Sequence, residues 1–193
     1  RPWLQLIVAV RGRRPSGGDD LSSKVTGLPT VELVSLSLEQ VEELLTRGAG
    51  AGSRFEFDAM RRVWHLTSGN PFLVQLFGLV LQGSHLGGVR ISAHAVERAV
   101  PAVLERATSA METLWADCSL AAQATLAVAN ELPGRHGTFT QNDVISAARQ
   151  HAANLRGDVA DKALSELEML GILEKLGRGS YRHSLELFRL WCA

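Results

Sequence analysis

The chain has 193 residues, a formal net charge of +0 and a mean hydropathy of +0.04, so its overall charge gives no general attraction to nucleic acid or to an anionic membrane. The two cysteines, Cys118 and Cys192, are far apart and lack zinc-like spacing, which is typical of a reducing compartment. The longest apolar runs are far shorter than a membrane span, and no segment resembles a signal peptide. We therefore expect a cytoplasmic protein with no membrane partner.

Two apolar segments near the start of the chain predict β-strands. The run LQLIVAV at 4–10 is typical of a strand buried on both faces of a parallel sheet, and VELVSL at 31–36 is a second candidate. Two strands cannot cover each other's faces and edges. We therefore expect the neighbouring strands upstream, and we interpret the chain as the C-terminal part of a longer protein.

Three helices are predicted after the second strand. The first follows a capping-box pair, Ser37 and Gln40, and the second covers 57–69. The third begins at Asn70 and Pro71, because Asn caps helix ends and Pro suits the first helical position.

A fourth helix is predicted to begin near Ser92, and Pro101 is expected to kink or divide it. A further helix start is predicted at the capping-box pair Ser109 and Glu112. The natural domain boundary is therefore expected near residues 106–110.

The rest of the chain has the element order of a winged helix. Further helices are predicted in the Ala/Leu-rich stretch after Cys118, from Thr140 and from near Asp158. The segment ILEKLGRGSYRHS at 172–184 predicts a β-hairpin with a Gly-Arg-Gly turn, and a closing helix follows at 185–193.

The order of these elements and four short motifs within it resemble the AAA+/STAND class of ATPases, especially its origin-recognition-like and archaeal or bacterial STAND members. The first strand with RGRR is similar to the sensor strand, and VELVSLSLEQVEELL to the entry into the helical lid. SGNPFLVQ is similar to the Gly-x-Pro motif of the lid, and YRHSLELFRLW to the end of the winged helix. The resemblance implies a mostly α fold in three parts: a remnant of the α/β nucleotide-binding core with one or two strands at 1–36, a four-helix lid at 37–107, and a winged-helix domain with a β-hairpin wing at 108–193.

The resemblance also implies a set of nucleotide-facing residues. Arg11 would read the terminal phosphate, since a guanidinium fork suits phosphate oxygens. Gly69, Asn70 and Pro71 would place a helix N-terminus near phosphate and a flat ring near adenosine. His183 would hold the ADP-bound state, although the Met and Asp that usually flank the family's histidine are absent here.

Each of these residues also has a structural interpretation. Arg11 is followed by Arg13 and Arg14 in a Gly/Ser/Pro-rich segment, which also fits a solvated basic loop. The motif at 69–71 is also a well-formed helix start, and His183 also fits a surface histidine at a strand end.

The chain lacks the G-x-x-x-x-G-K-[ST] loop and an apolar strand that ends in paired acids, so it would not hydrolyse ATP alone. We expect ATP or ADP, with Mg²⁺, to be held mainly by an upstream core, and the intact parent to be an ATPase. The expected function is a nucleotide-dependent switch for conformational change or assembly, with the core, further copies of the parent and other proteins as partners. No catalytic or metal-ligating spacing is found among the histidines and cysteines.

Two other functions stay open. In a DNA-binding winged helix, the helix from Asp158 to Leu170 would enter the major groove, where phosphate attraction supplies much of the affinity. That helix carries four acids against one lysine: Asp158, Asp161, Glu166, Glu168 and Lys162. Arg178 and Arg182 in the wing compensate only modestly, so DNA binding is the second hypothesis. A protein-interaction scaffold without hydrolysis is the third.

Overall fold

The computed structural model describes residues 34–48, 54–83, 90–132, 137–151 and 155–193. Over these residues the protein is mostly α-helical with a few short strands, as predicted. The helices of the described residues are α1 (Leu38–Gly48), α2 (Phe57–Thr67), α3 (Pro71–Gly83), α4 (Ala93–Ala116), α5 (Leu120–Glu131), α6 (Gln141–Gln150), α7 (Gly157–Met169) and α8 (Glu186–Cys192).

The two predicted N-terminal strands lie largely outside the described residues. The strand predicted at 4–10 and Arg11 lie outside the described residues. Of the strand predicted at 31–36, residues 34–36 are described, and they belong to neither a helix nor a strand. The Leu36 backbone instead bonds to the turn after α2, where its N–H donates to Gly69 O at 2.8 Å.

Two small sheets complete the described fold. Strands β1 (Arg54–Phe55) and β2 (Arg90–Ile91) pair in parallel, and the second sheet has the antiparallel order β3-β5-β4. Its strands are β3 (Thr138–Thr140), β4 (Leu173–Lys175) and β5 (Ser180–His183). The hairpin predicted from the Gly-Arg-Gly turn is β4–β5, while the β1–β2 pair and β3 were not predicted from the sequence.

Local hydrogen bonds explain most of the predicted helix starts. The capping box before α1 is present: Ser37 N–H donates to Gln40 Oε1 at 2.9 Å, and Gln40 N–H donates to Ser37 Oγ at 3.3 Å. Thr140 forms the same kind of box with Asp143 at the start of α6. Ser92 caps α4 by accepting a bond from the Ala95 N–H.

The helix start predicted at Ser109 was wrong, because α4 is continuous through the capping pair expected there. Pro101 does not divide the helix either, while a kink at Pro101 stays a prediction. Pro101 is exposed, so the backbone bond that it cannot donate is lost on the side that faces water. A single buried stripe runs past the expected break: Val96, Ala99, Val103, Ala107, Met111 and Leu114. Packing along this stripe overrides the local capping signal. A helix thus crosses the boundary expected near 106–110, while the division into domains stays a prediction.

The C-terminal helix α8 connects the two halves of the described fold, which are α1–α4 with the β1–β2 pair and α5–α7 with the antiparallel sheet. It packs on α2, α4 and α5, and Leu187 and Phe188 on its inner face are fully buried. Trp191 lies edge-on to Trp115 of α4, with ring centroids 6.4 Å apart. One buried apolar cluster contains residues from both halves.

Neither cysteine forms a disulfide. Cys118 is buried, and burial raises the pKa of the Cys192 thiol to about 11, which keeps it protonated and unreactive. Within the described ranges, no helix has both the length and the apolar character needed to cross a membrane.

Candidate functional site

The corner at Gly69 is shaped by a close backbone approach. Gly69 is buried with φ of 71°, and its carbonyl accepts the bond from Leu36 N–H. A Cβ at this position would lie 2.0 Å from Leu36 O, which no side chain tolerates. Leu36 O also accepts a bond of 3.1 Å from the Trp64 indole N–H. Glycine is therefore required here by folding, whatever else the corner does.

The next two residues start α3. Asn70 Oδ1 accepts from Leu73 N–H at 3.2 Å, and the Asn70 carbonyl accepts from Val74 N–H. Pro71 is exposed at the first helical position, which leaves a face of its ring open to a ligand. The corner thus combines a satisfied helix cap with an exposed proline.

A hydrogen bond joins this corner to the strand end that carries His183. Ser68, in the left-handed conformation with φ of 48°, donates through Oγ to the Ser184 carbonyl. The two serines are 116 residues apart in sequence. The structure therefore brings the residues beside two of the predicted motifs into direct contact.

A groove of about 860 Å³ lies at this contact. One wall is α2, and the other is formed by the end of α5, the β3-β5-β4 sheet and α8. The groove is lined by Arg62, Trp64, His65, Ser68, Ala129, Asn130, Leu132, Gly137, Phe139, Glu174, Arg182, His183, Ser184, Glu186 and Arg189. Its size falls within the usual range for small-molecule sites. His183 is the predicted site residue that lines it, and Gly69, Asn70 and Pro71 follow directly after its Ser68.

Three arginines line the groove, and two of them are held by carboxylates of the same walls. Arg182 binds Glu174 at 2.7 Å, and Arg189 binds Glu186 with two bonds of 2.9 and 2.6 Å. The Glu186 contact raises the pKa of Arg189, which stays charged.

Arg62 is arranged differently. Its partner Glu97 is not a lining residue and is contacted through Nε. Because this contact uses Nε, the two Nη groups of Arg62 can bind an anion.

His183 is a neutral group at physiological pH. Burial, followed by the nearby Arg189 charge, lowers the pKa of His183 to about 4. A hydrogen bond to the Ala129 backbone opposes this shift, and the ring packs on Phe139 with centroids 5.6 Å apart. The predicted histidine is therefore placed for hydrogen bonding rather than for charge.

Sequence reasoning missed the walls of this groove. Arg62 and Asn130 belong to helices whose patterns predict only amphipathic or Ala/Leu-rich packing. Neither residue carries a local signal, since each is one of several polar residues in its helix. Arg11 lies outside the described residues, so its expected place near a phosphate stays a prediction.

Neither a protein-family model nor a curated protein matches this chain. Among the described residues, no group of three or more His, Cys, Asp or Glu side chains is placed to hold a metal ion.

Proposed function

We propose that the chain is the nucleotide-sensing lid and winged-helix module of an AAA+/STAND-class ATPase, and that it acts as a nucleotide-dependent switch for conformational change or assembly. The observation that carries this proposal is the bond from Ser68 Oγ to the Ser184 carbonyl. It joins the Gly-Asn-Pro corner to the strand that ends at His183, which are the two described motifs expected to face one nucleotide.

The arrangement of elements supports the same proposal. Helices α1 to α4 surround the corner in the manner of a lid, and α5, α6 and α7 precede a hairpin in the manner of a winged helix. The antiparallel sheet of β3, β5 and β4 would then contain the wing, and the remnant of the core would lie in residues 1–36. These assignments are expectations from element order and sheet topology.

In the proposed mechanism, Pro71 presents its ring to adenosine, and the Nη groups of Arg62 contact phosphate at the groove. Arg11 would read the terminal phosphate, as the sequence predicts. ATP or ADP, with Mg²⁺, would be held mainly by an upstream core, since the residues that cleave it are absent from this chain. Because the groove lies between α2 and the C-terminal elements, a ligand there would tie the two halves together. Exchange or loss of the ligand would release them, and the released parent would assemble with further copies or with partner proteins.

Calorimetric titration of the 193-residue chain with ADP tests this proposal. We expect weak binding, and Ser68→Ala and Pro71→Ala should each weaken it about tenfold, because one removes the bond between the walls and the other removes the ring. Pro101→Ala is the matched control, since it changes an exposed proline outside the corner and should leave ADP affinity unchanged. The absence of ADP binding, or equal affinity in all four proteins, would contradict the proposal.

DNA binding is the weaker alternative. Arg182 of the wing strand is paired with Glu174, while Asp158 and Asp161 on α7 are exposed. Duplex DNA binding by the chain with a steep salt dependence would favour this alternative over the nucleotide switch.

A further inference from the structure

The groove wall opposite α2 contains an unusual set of unsatisfied polar atoms. Both side-chain atoms of Asn130, Oδ1 and Nδ2, are closed off from solvent without a hydrogen-bond partner in the described part of the chain. The same holds for His183 Nε2. Buried polar atoms without partners are rare in folded proteins because each forfeits the bonds that water would give it. Their concentration in one wall of one groove calls for a functional explanation.

The two side chains belong to the same wall. Asn130 follows Ala129 near the end of α5, and the Ala129 backbone is the hydrogen-bond partner of the His183 ring. Both residues line the groove. A ligand that reaches one of them is therefore adjacent to the other.

The hydrogen bond to the Ala129 backbone determines which nitrogen of His183 can accept a hydrogen bond from a ligand. Because Nε2 has no partner, the ring uses Nδ1 for this bond, and a backbone carbonyl accepts a proton from Nδ1. In the neutral ring the second nitrogen, Nε2, is then a hydrogen-bond acceptor. A phosphate offers mostly acceptor oxygens at neutral pH, so it is a poor match for Nε2. A hydroxyl or an amine is a good match.

Asn130 supplies the complementary groups. Its amide has two N–H donors and one carbonyl acceptor, which suit the edge of a nucleobase or a pair of sugar hydroxyls. Turning the amide towards the groove breaks no hydrogen bond within the described residues.

We propose that Asn130 and His183 bind the uncharged part of the groove ligand, the sugar hydroxyls or base edge of a nucleoside, and that Asn130 rotates into the groove to do so. This inference rests on the proposed function and adds the partner of the nucleoside to it. The phosphate would be contacted from the α2 wall by Arg62, and the nucleoside from the opposite wall. His183 would then hold the ADP-bound state through the nucleoside.

Competition calorimetry with adenosine, ADP and inorganic phosphate on the 193-residue chain tests the inference. We expect adenosine to bind and to compete with ADP, and inorganic phosphate to leave adenosine binding unchanged. Asn130→Leu and His183→Phe should each weaken adenosine binding about tenfold, since the polar partner is removed while the bulk is kept. His183→Gln should weaken it less, because the glutamine oxygen can replace Nε2 as an acceptor.

Two control variants keep the result specific. His94→Gln changes an exposed histidine and Asn142→Leu changes an exposed asparagine, and both residues lie outside this groove. Both should bind adenosine like the original chain, and thermal unfolding of each variant confirms that it folds.

The outcomes separate the inference from the proposed function. If ADP binds but adenosine does not, or if Asn130→Leu and His183→Phe bind adenosine normally, the inference is wrong and the nucleotide switch stands. If neither ADP nor adenosine binds, both are wrong.

Discussion

The corner before α3 and the groove wall at Asn130 and His183 differ in how their polar groups are satisfied. At the corner, Gly69 O accepts from Leu36 N–H and Asn70 caps the Leu73 N–H. At the wall, three buried side-chain atoms of Asn130 and His183 have no partner within the described residues. The corner is thus fixed by the folding of the chain itself, whereas the wall keeps hydrogen-bonding capacity for something else.

This difference explains which part of the site a motif can reveal. A Gly-Asn-Pro sequence stands out because each of its residues meets a local backbone requirement. A groove wall stands out only when distant elements are brought together. The following predictions test this distinction.

The largest effect is expected at the corner. Gly69→Ala should lower the free energy of unfolding by about 3 kcal/mol or more, because alanine resists the left-handed conformation and its Cβ would overlap Leu36 O. Urea unfolding measures the change.

Gly179→Ala is the matched control for that substitution. Gly179 has a similar φ of 72°, but no atom lies within 4 Å of its added Cβ. The expected loss is about 1 kcal/mol. Equal losses at both positions would show that the close approach to Leu36 contributes nothing.

The pH dependence of the free energy of unfolding should reflect the burial of His183 in the groove wall. The pKa of His183 is lowered from 6.5 in the unfolded chain to about 4 in the fold, so the unfolded state binds more protons between these values. The free energy of unfolding should therefore be highest above pH 6.5 and fall by about 2 kcal/mol between about pH 7 and pH 5.

The control for this titration is His183→Gln, which should lose most of the slope. Some slope should persist, since burial and the charges of Arg61 and Arg62 also lower the pKa of His65. An unchanged slope in His183→Gln would contradict the assignment to His183.

A smaller effect of opposite sign is expected at Asn130. Asn130→Leu should raise the free energy of unfolding by about 1 kcal/mol, since it replaces unpartnered polar atoms with an apolar group of similar size. The same variant should bind adenosine about tenfold more weakly, so the polar wall would lower stability in favour of binding. Thermal unfolding decides the matter, and a marked loss of stability would mean that the amide already has a partner, such as bound water.

The cap at Asn70 should have an effect of similar size but of the ordinary, destabilising sign. Asn70→Ala should cost about 1 kcal/mol of unfolding free energy, since Leu73 N–H loses its acceptor, while Asn70→Asp should be nearly neutral. Urea unfolding of the two variants compares them directly. If Asn70→Asp is as destabilised as Asn70→Ala, the side-chain oxygen is not what stabilises the helix start.

Much of the local structure could be predicted because it depends on neighbouring residues. The capping box at Ser37, the start at Pro71 and the β4–β5 hairpin each follow from a few adjacent positions. The break expected at Ser109 failed because burial along the whole of α4 outweighs a local capping signal. Strand β3 was missed because it is three residues long and depends on its pairing with β5.

The candidate site was predictable only in part, for the same reason. His183 followed from its motif, but its low pKa depends on burial and on Arg189. Arg62 and Asn130 carry no local signal, since their importance comes from the contact between α2 and the C-terminal elements. That contact depends on tertiary packing.

Backbone NMR of the 193-residue chain titrated with ADP shows whether the groove binds a nucleotide. We predict that the largest shift changes occur on both walls of the groove, at Arg62 and Ser68 on one side and at Asn130 and His183 on the other. Changes confined to other surfaces, or a spectrum that ADP leaves unchanged, would contradict the claim that this groove binds a nucleotide.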